Sequence, residues 1–319
     1  MQIIRDTSDI VPEMCVAAIG FFDGVHLGHR YLIQQVKEIA AARGLRSALI
    51  TFPVHPRKVM CTDYRPELLT TFEEKTALLS GMEIDYCLMV DFTLEISQLS
   101  AEEFMQSVLK DRFRVKCLVI GYDHRFGHNR SEGFAEYVKY GQAMDMEIVH
   151  ALAYTERQLS QNGETVTISS SLIRRLLWQG NVSTAADCLG YSYFLEGKVV
   201  NGYHVGRKIG FPTANLSVNS PDKLIPQNGV YAVLVTIDEK EYMGMLNIGV
   251  RPTVNNGVNR TIEVHILHFD ADIYGKSIRL TFVERIRPEL RFSSLQALTD
   301  ELQKDAETVE RILTSRTEK

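Results

Sequence analysis

Between residues 14 and 150, short apolar runs alternate with amphipathic stretches of helical spacing. Few architectures accommodate that rhythm. Met14–Ile19, Arg46–Phe52, Ile84–Val90, Val115–Gly121 and Met146–His150 read as strands. Residues after Gly28, Phe72–Ser80, a helix opened by the capping box Ser100-Ala101-Glu102-Glu103, and Phe134–Met144 read as helices. Gly44 reads as the residue that ends the first helix. Strands separated by helices predict an open, mostly parallel sheet, whose ligands bind beyond the carboxyl ends of the strands. The loops Gly20–His29, Pro53–Arg57 and Gly121–Gly127 all leave such ends, so they are expected to converge on one crevice.

The first of these loops, GFFDGVHLGH, joins an apolar run to a helix. A strand, a glycine-rich turn and a helix N-terminus bring backbone N–H groups and the positive end of a helix to one point, where an anion can be held without a lysine. His26 and His29 stand there with Gly28 between them, and both imidazoles can donate to phosphate oxygens. The competing reading is that the histidines only cap the helix. Neither GxGxxG nor GxxxxGK[ST] occurs, so dinucleotide and P-loop chemistry is not indicated. Ile168-Ser169-Ser170-Ser171, with Arg174 one turn later, offers a second anion site, or a simple N-cap. Asp123 reads equally as a site residue and as a turn former.

From about Tyr193 short alternating runs separated by Gly, Asn and Pro take over. Gly197–Val200, Val230–Ile237, Tyr242–Ile248, Thr261–His268 and Ser277–Val283 are the clearest strands, and Asn201-Gly202, Asn228-Gly229 and Asn256-Gly257 are turn signals. They predict an antiparallel barrel or sandwich, closed by an amphipathic helix over Ser294–Leu313. The length of 319 residues exceeds a usual single core of about 250, so two domains are expected, 1–186 and 187–319. In the second, Gly206-Arg207-Lys208-Ile209-Gly210-Phe211-Pro212-Thr213-Ala214-Asn215 places hydroxyl and amide oxygens two residues apart, which suits a magnesium-nucleotide and equally a β-turn. Glu263 shares a strand face with Thr261 and His265 and by itself reads as a solvated carboxylate.

A net charge of −5 argues against a broad nucleic-acid surface. The five cysteines form no CxxC pair, no apolar run approaches the roughly 18 residues of a membrane span, and no basic, apolar leader opens the chain, so a cytoplasmic protein with reduced thiols is expected.

Along nearly its whole length the chain resembles the bacterial bifunctional riboflavin kinase/FAD synthetases. GFFDGVHLGH, TFPVHPR, GYDHRFG and ISSSLIR are similar to the adenylyltransferase half. GRKIGFPTAN, NGVYAV, LNIGVRPT, EVHILHFDADIYGK and RIRPELRF are similar to the kinase half. The resemblance implies an α/β fold, with an N-terminal Rossmann-like nucleotidyltransferase domain and a C-terminal six-stranded antiparallel flavokinase barrel. It implies phosphorylation of riboflavin by ATP to FMN, then adenylylation of FMN to FAD with release of pyrophosphate. FMN and FAD would be products, not prosthetic groups, and Mg2+ would accompany ATP.

Carried over by residue, Gly20, Phe22, Asp23, Gly24, His26, Gly28 and His29 would line the adenylyltransferase ATP site, the two histidines on the phosphates. Asp123 would lie near the nucleotide and its metal, with Ser170, Ser171 and Arg174 on the pyrophosphate side. Gly206, Lys208, Gly210, Phe211, Pro212, Thr213 and Asn215 would bind kinase substrates, Thr213 and Asn215 holding magnesium and Glu263 acting as base. Three positions depart from the family pattern: Phe21, where many members have Asn; His124, where an aromatic residue is common; and Ser171, where Thr is usual. Two other readings remain open: a nucleotidyltransferase for another phosphorylated acceptor, and a flavin sensor without turnover.

Overall fold

A computed structural model of the chain describes residues 1–5, 13–61, 63–121, 124–155, 159–161, 164–202, 206, 209–252 and 258–317. The chain divides into two compact units, Met1–Ser170 and Ser171–Lys319.

The first unit is built on a six-stranded sheet in the order β1-β4-β3-β2-β5-β6, every pair parallel. The strands are β1 (Gln2–Arg5), β2 (Cys15–Ile19), β3 (Arg46–Thr51), β4 (Tyr86–Met89), β5 (Val115–Ile120) and β6 (Glu147–His150). β2 is buried along its whole length because both sheet faces are covered. Val16 and Ala18 face Ile33, Val36 and Ala40 of α1 (Leu27–Arg43), while Ala17 and Ile19 face the cluster of Phe104, Met105 and Tyr137. From β2 the chain moves to β3 and β4 on one side, then crosses to β5 on the other. The end of β2 is thus the topological switch point, where such sheets bind ligands.

The crossover from β3 to β4 carries α2 (Pro56–Met60) and α3 (Phe72–Ser80), the latter opened by a capping box between Thr71 and Glu74. Gly44 ends α1 at φ 64°, its N–H bonding Ala40 O and Ala41 O, as its position predicts. α4 (Leu94–Gln98) and α5 (Ala101–Phe104) follow, and the Ser100–Glu103 capping box is present. The α-helix expected after this capping box instead widens into a π-helix over Met105–Arg112. After α6 (Phe134–Ala143) and β6, β7 (Leu159–Gln161) and β8 (Glu164–Val166) form a separate two-stranded ribbon.

α7 (Ser170–Trp178) and α8 (Val182–Leu189) lead into the second unit's closed, antiparallel six-stranded barrel, in the order β10-β13-β12-β11-β14-β9. Its strands are β9 (Phe194–Val200), β10 (Ala214–Val218), β11 (Gly229–Ile237), β12 (Lys240–Pro252), β13 (Val258–Ile266) and β14 (Ser277–Arg287). Closure leaves no exposed edge. The β11–β12 hairpin turns on Asp238-Glu239, both at positive φ as a two-residue primed turn requires, and without a glycine. At the expected turn Asn228-Gly229, Asn228 lies in a bend and Gly229 already opens β11. A Cβ on Gly229 would stand 2.6 Å from Arg287 O.

α9 (Leu295–Thr317) lies over one side of the barrel, burying Val309 and Leu313 against Phe211, Val230, Ala232 and Met245. A buried ion pair pins it: Arg287 donates from Nε to Asp305 Oδ1 at 3.0 Å and from Nη2 to Asp305 Oδ2 at 2.7 Å. Among the described residues, no helix is long and apolar enough to cross a membrane. All five cysteines are free thiols; four are buried, and burial pushes those of Cys15, Cys87 and Cys117 up to about 12, 11 and 11, which leaves them unreactive.

Candidate active sites

In the first unit, residues 20–26 form a tight, left-handed turn at the end of β2, with Phe22 at φ 54°, Gly24 at 80° and Val25 at 39°. Positive φ is costly for a bulky or β-branched residue, so tertiary contacts must hold the turn. Phe22 is 2% exposed and Val25 fully buried. Asp23 supplies the main clasp: its carboxylate accepts the N–H of Leu69 at 3.0 Å and of Thr70 at 3.1 Å, and the Thr70 hydroxyl at 3.2 Å. Thr70 Oγ1 accepts Gly24 N–H at 3.1 Å, and Ser170 Oγ donates to Asp23 O at 2.9 Å. Asp23 and Phe22, expected to line the ATP site, therefore have side chains committed to the fold; they shape the turn through its backbone.

His26 caps α1, its Nδ1 accepting the His29 N–H at 3.3 Å, so its ring proton sits on Nε2. Its ring stacks on that of His29, 3.6 Å between centroids and 20° from parallel. The capping reading and the functional one thus coexist in a single residue. Gly28 has a reason beyond open access: a Cβ there would stand 3.2 Å from the His26 ring and 3.6 Å from Ile168 O. His29 is held neutral over the physiological range, well below its usual pKa, by burial and by the neighbouring His26, Lys75 and His124. Its Nδ1 is shut off from solvent without a hydrogen-bond partner.

The loops after β2 and β3 meet as expected. Thr51 Oγ1 donates to Phe21 O at 3.3 Å, and the Phe21 ring meets His55 edge-on at 4.7 Å. The loop after β5 reaches the same place through His124, close enough to act on His29. Lys75 on α3, not anticipated from the sequence, lies among them: its Nζ donates to Phe21 O, Thr51 Oγ1 and Phe52 O. Ser171 and Arg174 follow Ser170 on α7, Ser171 exposed and Arg174 half-buried, within the second unit. Asp123 lies outside the described residues.

In the second unit the GFPTAN segment is no turn beyond Thr213: Ala214 and Asn215 open β10, and Asn215 pairs with Glu263 of β13. On the other flank Glu263 pairs with Asn247 of β12. Thr213 Oγ1 donates to Glu263 Oε2 at 3.4 Å, so Thr213, Asn215 and Glu263 meet although up to 50 residues apart. The carboxylate read as solvated is half-buried among amide and hydroxyl groups. Pro212 O accepts from His265 Nδ1 at 2.8 Å, and Phe211 is edge-on to the same ring at 5.2 Å. Gly206 O receives the N–H groups of Ile209 and Phe211, and Gly210 takes φ 83°. Lys208 lies outside the described residues.

Two cavities meet at Thr213. One, of about 300 Å3, contains Glu263, Asn247 and His265 and has an apolar wall that includes Phe211, Phe292, Leu298 and Leu302. The other, of about 320 Å3, takes in Val264, Ile266, Asp270, Asp272 and Tyr274. Alternation along β13 explains the division: Glu263 and His265 point one way, Val264 and Ile266 the other. Asn247 is the member of this site that motif reading missed; it lies within the LNIGVRPT segment, but only the barrel's register sets it opposite Glu263.

The first unit has the architecture of a nucleotidyltransferase and the second that of a flavokinase barrel. Residues 9–164 match the family model described as FAD synthetase and residues 189–313 the one described as riboflavin kinase. The chain is 37% identical over 303 residues to the bifunctional riboflavin kinase/FMN adenylyltransferase of Escherichia coli K12, covering 95% of this chain and 94% of that one. It is 36% identical to the protein of the same name from Listeria monocytogenes, covering 91% and 90%. A crystal structure from Streptococcus pneumoniae, described as a macrolide-efflux protein, superposes with a TM-score of 0.84 at 30% identity, covering 97% of this chain and 98% of that one. The chain belongs to the bifunctional riboflavin kinase/FMN adenylyltransferase family.

Proposed function

We propose that this protein makes both flavin cofactors from riboflavin, using ATP twice. The kinase reading is carried by one observation: the register of β10, β12 and β13 sets the Glu263 carboxylate against Asn215 and Asn247, with the Thr213 hydroxyl 3.4 Å away. Riboflavin offers an alcohol, a weak nucleophile, so transfer to it benefits from a carboxylate that takes the proton. Glu263 is that base. The apolar-walled cavity suits a flavin ring and the cavity across Thr213 the nucleotide. Thr213 and Asn215 are neutral oxygen donors of the kind magnesium accepts, and the ion brought by ATP would be held there to offset phosphate charge. Gly206, Lys208, Gly210, Phe211 and Pro212 complete the substrate-binding segment.

FMN already presents an anionic phosphate, so its adenylylation needs position and charge neutralisation more than a base. The turn at Gly20–His29 supplies backbone N–H groups and two imidazoles; His29, kept neutral, donates one N–H to phosphate oxygen without requiring acid pH. Ser170, Ser171 and Arg174 act on the departing pyrophosphate, with Asp123 near the nucleotide. We assign the two reactions to residues 1–186 and 187–319, and place the protein in the cytoplasm, where thiols stay reduced. Incubation of the full chain with riboflavin, ATP and Mg2+, resolved by chromatography, should yield FMN and then FAD. Absence of FMN would refute the kinase assignment, and FMN without FAD the other.

A further inference from the structure

Lys75 is 2% exposed, and no carboxylate among the described residues pairs with it. It sits in the first turn of α3, where the helix dipole disfavours a cation. Its ammonium has three protons and meets three acceptors: Phe21 O at 3.1 Å, Thr51 Oγ1 at 3.2 Å and Phe52 O at 2.9 Å. No donor remains for a substrate phosphate. Nζ also lies 4.2 Å from the centroid of the Phe21 ring. The acceptors belong to the ends of β2 and β3, the two strands whose loops form the adenylyl-transfer crevice.

We propose that Lys75 is a positioning residue for adenylyl transfer, its ammonium tying the turn after β2 to the end of β3 and placing a buried positive charge beside His29. The inference rests on the assignment of that reaction to the turn after β2. The tie depends on charge. A neutral amine has two N–H groups and a lone pair, so it can donate to only two of the three partners, and the Thr51 contact survives only if its hydroxyl turns from Phe21 O to the amine, which loosens the tie. Burial lowers the Lys75 pKa to about 8, while Asp23 from the turn and Cys87 from β4 favour the charged form. His29 of α1, the other titratable neighbour, is held neutral. The ammonium is therefore present below about pH 8 and lost as pH rises through it. A bound triphosphate raises this pKa by attraction, so by linkage its binding near pH 8 takes up a proton.

The test uses the full chain, with riboflavin phosphorylation on the same protein as reference. Wild-type kcat/KM for FMN adenylylation should show an alkaline limb with a midpoint near pH 8. Lys75→Met, if folded by circular dichroism, should lose on the order of tenfold or more at pH 7 and lose that limb. Titration with ATP and Mg2+ by calorimetry in two buffers of different ionisation enthalpy should show uptake of up to about half a proton at pH 8 and almost none at pH 6.5. A folded Lys75→Met enzyme with wild-type kcat/KM and an unchanged limb overturns the proposal. If the variant does not fold, the wild-type calorimetry decides, and zero uptake at pH 8 overturns it. His29→Ala separates the two levels. Loss of adenylylation in that variant beside an unaffected Lys75→Met overturns this inference alone, whereas full activity in His29→Ala overturns the assignment beneath it.

Discussion

Asp305→Ala would strike the junction between the barrel and α9, and the structure sets the size of the effect. Asp305 is 3% exposed, and its carboxylate receives hydrogen bonds from Arg287 at 2.7 to 3.1 Å. The Arg287 side chain is only 13% exposed, and its other carboxylate neighbour, Glu301, stands 3.7 Å away. Removal of Asp305 thus leaves a largely buried cation with one distant carboxylate and the Pro288 carbonyl, which costs about 3 to 5 kcal/mol. In a unit of this size each kcal/mol lowers Tm by roughly 2 to 4 °C, so a fall of about 6 to 20 °C is expected. The chain has one tryptophan, Trp178, on α7 of the second unit, so thermal unfolding followed by its fluorescence reports the unit concerned. Leu298 and Leu302 of α9 form part of the wall of the Glu263 cavity, so the KM for riboflavin should rise as well. The double variant Arg287→Met/Asp305→Asn, which removes both charges and nearly keeps the volume, should recover part of the lost stability. A single variant that melts within about 2 °C of wild type would show that the pair does not hold the helix.

Glu263→Gln is nearly isosteric and should lower FMN formation by about 10² to 10⁴ at unchanged Tm, while FAD synthesis from supplied FMN persists; phosphorylation within a few-fold of wild type would restore the solvated-carboxylate reading. His29→Ala should cost adenylyl transfer roughly 3 to 4 kcal/mol, a hundredfold or more, with riboflavin phosphorylation retained; equal loss of both activities would contradict two separate sites. Arg174→Lys exchanges a planar fork for a point charge and should impair FAD synthesis, and unchanged rate and ATP affinity would mark Arg174 as an ordinary helix residue.

The parallel sheet was legible because strands covered on both faces are continuously apolar, and the first loop because a glycine-rich turn follows one of them. Local signals carry no further than that. Asp23 was carried over as a site residue from the family motif, and its hold on the amides of Leu69 and Thr70, 46 and 47 residues away, leaves no local trace in the sequence. Lys75 was hidden in Phe72-Glu73-Glu74-Lys75, which reads as a solvated helix start; its one clue was a cation at the positive end of a helix. β10 escaped notice because a five-residue strand after Pro212-Thr213 has the composition of a turn. The site around Glu263 could be carried over from family motifs, but its geometry follows from barrel register, which one sequence does not encode locally.

The left-handed turn at Phe22–Val25 has a consequence for the order in which the protein becomes competent during synthesis. Non-glycine residues at φ 54° and 39° do not hold such a shape in a short nascent segment. The H-x-G-H loop emerges early from the ribosome, yet its clasp on Asp23 needs the amides of residues 69 and 70, and its tether needs the hydroxyl of Ser170. The end of β2 is therefore completed only after Ser170 has been added, once just over half of the chain has been translated. A growing chain shorter than that carries the whole motif without the contacts that hold it in shape.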